Sequence, residues 1–364
     1  MATVDRPWMA FEPNDDALPF RATMSSVGVK VPATRVTTAE LMAGTRHRTG
    51  IELERLTGIH ARHVAPDGED SYTLAVGAAR DCLSRTPYSG ADLDMVITTS
   101  ITKYRDGYTQ RLEPPLSLAV KSAIGAPRAT SFDLSNACAG MLTGVFVLND
   151  FIRRGEIRRG LVVSGESISQ LGRNAATQVR GVLSRQLASL TLGDAGAAVL
   201  VERAGPDSAG IAVAGFTTLS EHSRLCLGYP SHVGPGASMY TQARAIHRVA
   251  IDRAPALVQE ALDVAGLGLD EIDYFIPHQT SARAIRTGVA EFAERLGVRP
   301  RHVVVNVEEY GNTSSTTHFV ALDRYLREGR FRRGERALLL ALASGLEIGV
   351  VIVTVDELVA SWES

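Results

Sequence analysis

The sequence predicts an α/β fold made of two duplicated halves, on three observations. Short β-rich runs alternate with helical patterns along the chain, as parallel sheets covered on both faces require. The same succession of segments then occurs twice. Finally, one helical segment is apolar on nearly every face and therefore belongs at the centre of the protein.

The elements pair off in order. A helical pattern over Ser71 to Ser84 leads through SGADLDMVITTS, in which Met95 to Thr99 reads as a buried strand. Its counterpart is a helical pattern over Ala254 to Ala265 leading through GLDEIDYFIPHQ, with a strand at Tyr274 to Pro277. Next come ATSFDLSNACAG and HVVVNVEEYGNTSS, each a short strand, a turn and a helix. EIRRGLVVSGES (Glu156 to Ser167) then matches FRRGERALLLALASG (Phe331 to Gly345), each a basic turn feeding a β-rich run. The join falls in AGPDSAG, whose composition marks a loop. The expected halves are residues 1–204 and 205–364.

Cys138 stands where the strand Thr130 to Leu134 gives way to the apolar helix, Ala139 to Ile152. Unpaired amides and the positive end of the helix dipole are expected to lower the pKa of a thiol there. The small neighbours Ala139 and Gly140 leave room for a substrate. His278 and Asn312 also follow predicted strand ends, where ligands bind in open α/β sheets. Alone, Cys138 reads as a packing thiol. With His278 and Asn312 it reads as a nucleophile in a site between the halves.

Composition narrows the alternatives. The 364 residues are 45% hydrophobic and carry a formal charge of −2, with no general attraction for nucleic acid or anionic membrane. Cys82, Cys138 and Cys226 are odd in number and far apart, which speaks against a disulfide framework or a metal site and for a reducing cytoplasm. Cys82 and Cys226 are read as packing residues. The N-terminal stretch lacks the apolar core of a signal peptide, and no apolar run is long enough to span a bilayer. LTLGDAGA lacks the spacing of a dinucleotide loop.

SFDLSNACAG, FIPHQTSAR, EYGNTSS, ALASGLEIG and LTLGDAGAAVLVE together resemble, in order from about Thr57 onward, the thiolase superfamily and more narrowly its ketoacyl-ACP synthase III group. The resemblance implies a five-layer αβαβα fold, a homodimer, no cofactor, and carbon–carbon bond formation between acyl thioesters carried on acyl carrier protein or CoA. It makes Cys138 the acylated nucleophile, and His278 and Asn312 the donors to the second thioester's carbonyl. The backbone amides of Cys138 and Gly345 become the oxyanion hole, with glycine expected at 345 so that a backbone donor can approach closely. The His-to-Asn interval is longer than usual in the group by about one helical turn, placed in Ile285 to Leu296.

Two departures refine this. The housekeeping enzyme carries Trp and Arg around its "TGI" motif to hold the CoA adenine, whereas Glu52 and Leu56 occupy those positions here; the Trp residues are Trp8 and Trp362. RLEPPLS, residues 111 to 117, resembles the stretch of the head-to-head branch (olefin-pathway and α-pyrone-forming ketosynthases) whose Glu serves as base in the partner's site. Glu113 matches it. Its plain alternative is a solvated loop acid, and Arg283, matching a carrier-docking position, has the alternative of a solvated helix residue. His318 follows Asn312 closely enough to line the cavity, although a non-catalytic role is the simpler reading. The alternatives to Claisen coupling of two acyl chains are decarboxylative extension with malonyl-ACP and acyl transfer to a hydroxyl or amine. A Cys-His-Asn hydrolase fits the residue order but not the duplicated pattern.

Overall fold

The computed structural model describes residues 9–10, 18–47, 49–206 and 208–363; Trp8 lies outside them. Two sheets form its frame. The first orders the strands Ala22–Lys30, Ala195–Arg203, Arg159–Glu166, Met95–Thr98 and Thr130–Asp133. The second orders Met9–Ala10, Ile211–Thr218, Glu347–Thr354, Arg336–Ala343, Tyr274–Pro277 and His302–Val303. Apart from Met9–Ala10, each sheet draws on one side of the loop near residue 205. Within each, the strand that precedes a candidate site residue lies in a parallel pair: Thr130–Asp133 against Met95–Thr98, and Tyr274–Pro277 against Arg336–Ala343.

Helices complete five layers. The helix Gly140–Arg153 and the helix Thr317–Arg327 share one apolar core with residues of both sheets, including Val162, Val199, Leu339 and Val351. The helix Ser71–Leu83 covers the outer face of the first sheet through Ala75, Ala79 and Cys82. The helix Ala243–Ala265 covers the second through Leu257, Val258 and Ala261. Close approach explains one glycine here: a Cβ on Gly28 would sit 2.0 Å from the Cys82 amide nitrogen, so the strand meets the helix with no side chain between. This is the thiolase-like αβαβα architecture that the motifs implied.

The helix Ala243–Ala265 starts eleven residues before the expected Ala254, because Pro255 lies inside it rather than at its first turn. Proline lacks an N–H and is favoured as a helix start, so the sequence points to the wrong boundary.

Candidate active site

The turn that carries Cys138 begins where the edge strand Thr130–Asp133 ends. Asp133 accepts from Thr98 Oγ1 at 2.6 Å, from the Leu116 and Ser117 amides, and pairs with Lys103 at 2.6 Å. Burial opposes its charge, but these donors outweigh burial and hold the carboxyl below its usual range. It thus fixes the strand end against the loop that leads to Glu113. Ala137 then takes φ +44°, a left-handed conformation that costs an alanine about 1–2 kcal/mol, and a 3₁₀ turn, Ala137–Ala139, carries Cys138.

Cys138 is half-buried, with its sulfur 3.7 Å from Ser314 Oγ. Burial pushes the thiol up to about 12; the Ser314 hydroxyl opposes the shift, while nearby Cys226 and Glu166 add to it. The expected lowered pKa is therefore corrected. Cys138 precedes the α-helix instead of occupying its first turn, and its charged neighbour is a carboxylate. At neutral pH the sulfur is a thiol. A Cβ on Gly140 would come within 3.1 Å of Thr99, so the helix starts in close contact with the residue that follows the strand Met95–Thr98. Cys226 is half-buried, with its sulfur 3.4 Å from Thr241 Oγ1.

His278 follows its strand and donates its backbone N–H to Leu340 O at 2.9 Å. The residue is 3% exposed, and burial, reinforced by His318, lowers its pKa to about 3, so the ring is neutral. His318 is fully buried and also lowered, to about 4, by burial. Its Nε2 lies 2.9 Å from Leu340 O. A carbonyl only accepts, so that nitrogen carries the proton.

Asn312 is held by its backbone, which donates to Thr191 O at 2.9 Å and accepts from the Gly193 amide at 3.0 Å. Its side-chain Oδ1 accepts the Ser314 N–H at 2.9 Å, which leaves the amide NH₂ free to donate elsewhere. One short segment, 312–318, thus supplies Asn312, the Ser314 contact to Cys138 and the His318 ring beside His278. The turn holding Gly345 joins two strands that pack on the turn Ala137–Ala139. Gly345 has φ +139°, and nothing lies closer than 3.5 Å to a Cβ placed on it. Its glycine is required by backbone conformation, not by lack of space.

A small cleft of about 70 Å³ opens on His278 between the helices Ala243–Ala265 and Ala282–Leu296. Its wall is apolar, from Ile251, Phe275, Val289 and Phe292, apart from His247, Thr280 and His278. Arg283 is exposed on the first turn of the second helix. Gly58 of the "TGI" stretch abuts its neighbour: a Cβ there would be 2.9 Å from Ala282 Cβ. Glu52 and Leu56 are exposed on the same stretch, Glu52 paired with Arg55 at 2.6 Å. Glu113 is exposed on the loop before the helix Leu116–Ala123, next to Leu112, which is 78% exposed.

Sequence reasoning overlooked Glu166, Ser314 and Ser315. Glu166 is fully buried, and burial pushes its carboxyl up to about 7 against several hydrogen bonds. The available signal was a glutamate closing the otherwise apolar run LVVSGE, since acids are seldom buried without partners. Among the described residues, no group of three or more His, Cys, Asp or Glu side chains is placed to hold a metal ion.

The chain matches two family descriptions, 3-oxoacyl-[acyl-carrier-protein (ACP)] synthase III over residues 132–220 and its C-terminal region over residues 262–355. It is 31% identical to the beta-ketoacyl-[acyl-carrier-protein] synthase III of Sphingopyxis alaskensis, covering 92% of this chain and 99% of that protein. The Streptomyces lividans protein of the same name is 35% identical over 81% of this chain and 83% of its own length. Among solved structures, OleA of Xanthomonas campestris superposes with TM-score 0.78 at 25% identity, covering 92% of this chain and 97% of that one. The 3-oxoacyl-[acyl-carrier-protein] synthase III of Aquifex aeolicus gives 0.77 at 26%, covering 92% and 99%. With sequence and fold agreeing over nearly the whole length, the chain belongs to the beta-ketoacyl-[acyl-carrier-protein] synthase III family of condensing acyltransferases.

Proposed function

We propose that Cys138 accepts an acyl group from one thioester and passes it to the α-carbon of a second, in a Claisen condensation of two sizeable acyl or β-ketoacyl chains. The observation that carries this reading is the segment 312–318, which touches Cys138 through Ser314 and His278 through His318. In the first step Sγ attacks the thioester carbonyl and its proton leaves with the departing thiol, so one thioester replaces another. The Cys138 and Gly345 amides hold the oxyanion. In the second step the neutral His278 and the Asn312 amide donate to the carbonyl oxygen of the incoming thioester. Negative charge collects on that oxygen as the α-proton leaves and the new C–C bond displaces Cys138.

Glu113 is the base in this reading, supplied by a partner subunit. The exposed apolar side chains Ile101, Leu112 and Leu118 surround its loop, and the adjoining strand Thr130–Asp133 is an edge of its sheet. A homodimer across that edge would cover both. Arg283 beside the "TGI" stretch is the docking cation for an acidic acyl carrier protein. Decarboxylative extension with malonyl-ACP is the second reading, favoured by the exposure of Glu113 in the single chain. It needs the His278 and Asn312 donors but no carboxylate base. Intact mass spectrometry with a panel of acyl-CoA and acyl-carrier thioesters tests both. Acylation of Cys138 followed by discharge to a β-keto product with a non-malonyl partner supports the first reading. Discharge by malonyl thioester alone supports the second, and absence of acylation overturns both.

A further inference from the structure

Glu166 ends the strand Arg159–Glu166 with its side chain fully buried. Its Oε1 accepts the Ile101 N–H at 3.0 Å and the Ser315 hydroxyl at 2.5 Å. Oε2 accepts the Thr102 N–H at 3.2 Å and the Thr102 hydroxyl at 3.1 Å. Ser164 Oγ lies 2.8 Å from Ser315 Oγ and 3.4 Å from Oε1. All these partners belong to the first half except Ser315. The carboxylate therefore rivets one residue of the second half to the sheet that carries the nucleophile.

That residue is next to Ser314, whose φ of +60° is a left-handed conformation disfavoured for serine. Ser314 holds the Asn312 side chain by its N–H and faces the Cys138 sulfur with its hydroxyl. Release of Ser315 would free this strained turn and move the Asn312 amide relative to Cys138. The chemistry of the cradle calls for a carboxylate. A backbone amide, which can only donate, points at each of its oxygens, so an acceptor is needed at both ends. Glutamine would turn its own NH₂ against one of them, and an apolar residue would leave both amides unpaired.

We infer that Glu166 is a positioning residue for the condensation step, clamping Ser315 so that Asn312 and Ser314 stay in register with Cys138. This rests on the condensation reading above. Acylation of Cys138 does not use Asn312, so the two half-reactions separate the roles. The test uses the full-length protein with Glu166→Gln and Ser315→Ala. Acylation by an acyl-CoA and discharge by a second thioester are each timed by intact mass spectrometry. The expected result is acylation near the wild-type rate with discharge slowed about 100-fold, the scale of loss for a misplaced catalytic group. The double variant should be no slower than Glu166→Gln, as expected for two ends of one contact. Equal slowing of both half-reactions, or discharge at the wild-type rate in Ser315→Ala, overturns the inference. Ser315→Ala keeps the carboxylate in its cradle and decides the matter if Glu166→Gln does not fold. A wild-type protein that is acylated but never discharged refutes the condensation reading itself, and the inference falls with it.

Discussion

The rings of His278 and His318 lie with centroids 5.9 Å apart and tilted by 35°, and both residues donate to the same acceptor, Leu340 O. Two buried imidazoles this close cannot both be charged at modest cost. Their pKa values are lowered to about 3 and about 4 from an ordinary 6.5. The folded state therefore binds fewer protons than the unfolded one between these values. The stability they contribute is present above about 6.5 and is lost as pH falls toward 3. Thermal melting should show a midpoint that declines below pH 6.5, and His318→Leu, with one titrating ring fewer, should decline less steeply.

The thiol of Cys138, raised to about 12, should react slowly with iodoacetamide at pH 7. Its alkylation rate should climb steadily to pH 10 without levelling off near neutrality, because the thiolate is the nucleophile. Peptide mapping identifies the labelled cysteine. A plateau near pH 7 would show that an activated thiolate exists in the resting protein.

On the proposed mechanism Asn312→Ala removes one of the two donors to the incoming carbonyl. Discharge of the acyl-enzyme should fall by about 10²–10³, the usual loss for a donor of this kind. Acylation should change little, since Asn312 is not called on in that step. Timed mass spectra of both half-reactions would check this.

Glu113→Ala should abolish coupling of two non-malonyl chains and leave Cys138 acylation intact. If the carboxylate acts across a dimer, mixing Glu113→Ala with Cys138→Ala should restore activity. Hybrid dimers then contain one complete site. Activity that stays absent on mixing, with exchange of subunits verified, would place Glu113 in its own subunit's site or outside the chemistry.

Local signals carried most of the architecture. The strand Tyr274–Pro277 and the helix starting at Ser71 are found where hydrophobic pattern and turn residues put them. Cys138, His278 and Asn312 were singled out because each follows a predicted strand and bears a side chain suited to thioester chemistry; in the structure Asn312 instead follows the short helix Val307–Tyr310. Three things were not legible. Pro255 gave a start signal inside a continuous helix. The environment of Cys138 depends on burial and on Glu166, which no local rule reports. The Glu166–Ser315 contact joins residues 149 positions apart, so it exists only once the halves have docked.

The path of residues 312–318 limits how this molecule can be taken apart. A chain cut in the loop near Gly205 would yield one fragment with the sulfur and another with His278 and Asn312, the groups proposed to polarise its reaction partner. On the proposed mechanism neither piece would be a lesser enzyme; each should be inert. Turnover recovered from the mixed fragments would thus report reassembly of the two modules, which makes this loop a natural place to split the protein into a sensor of association.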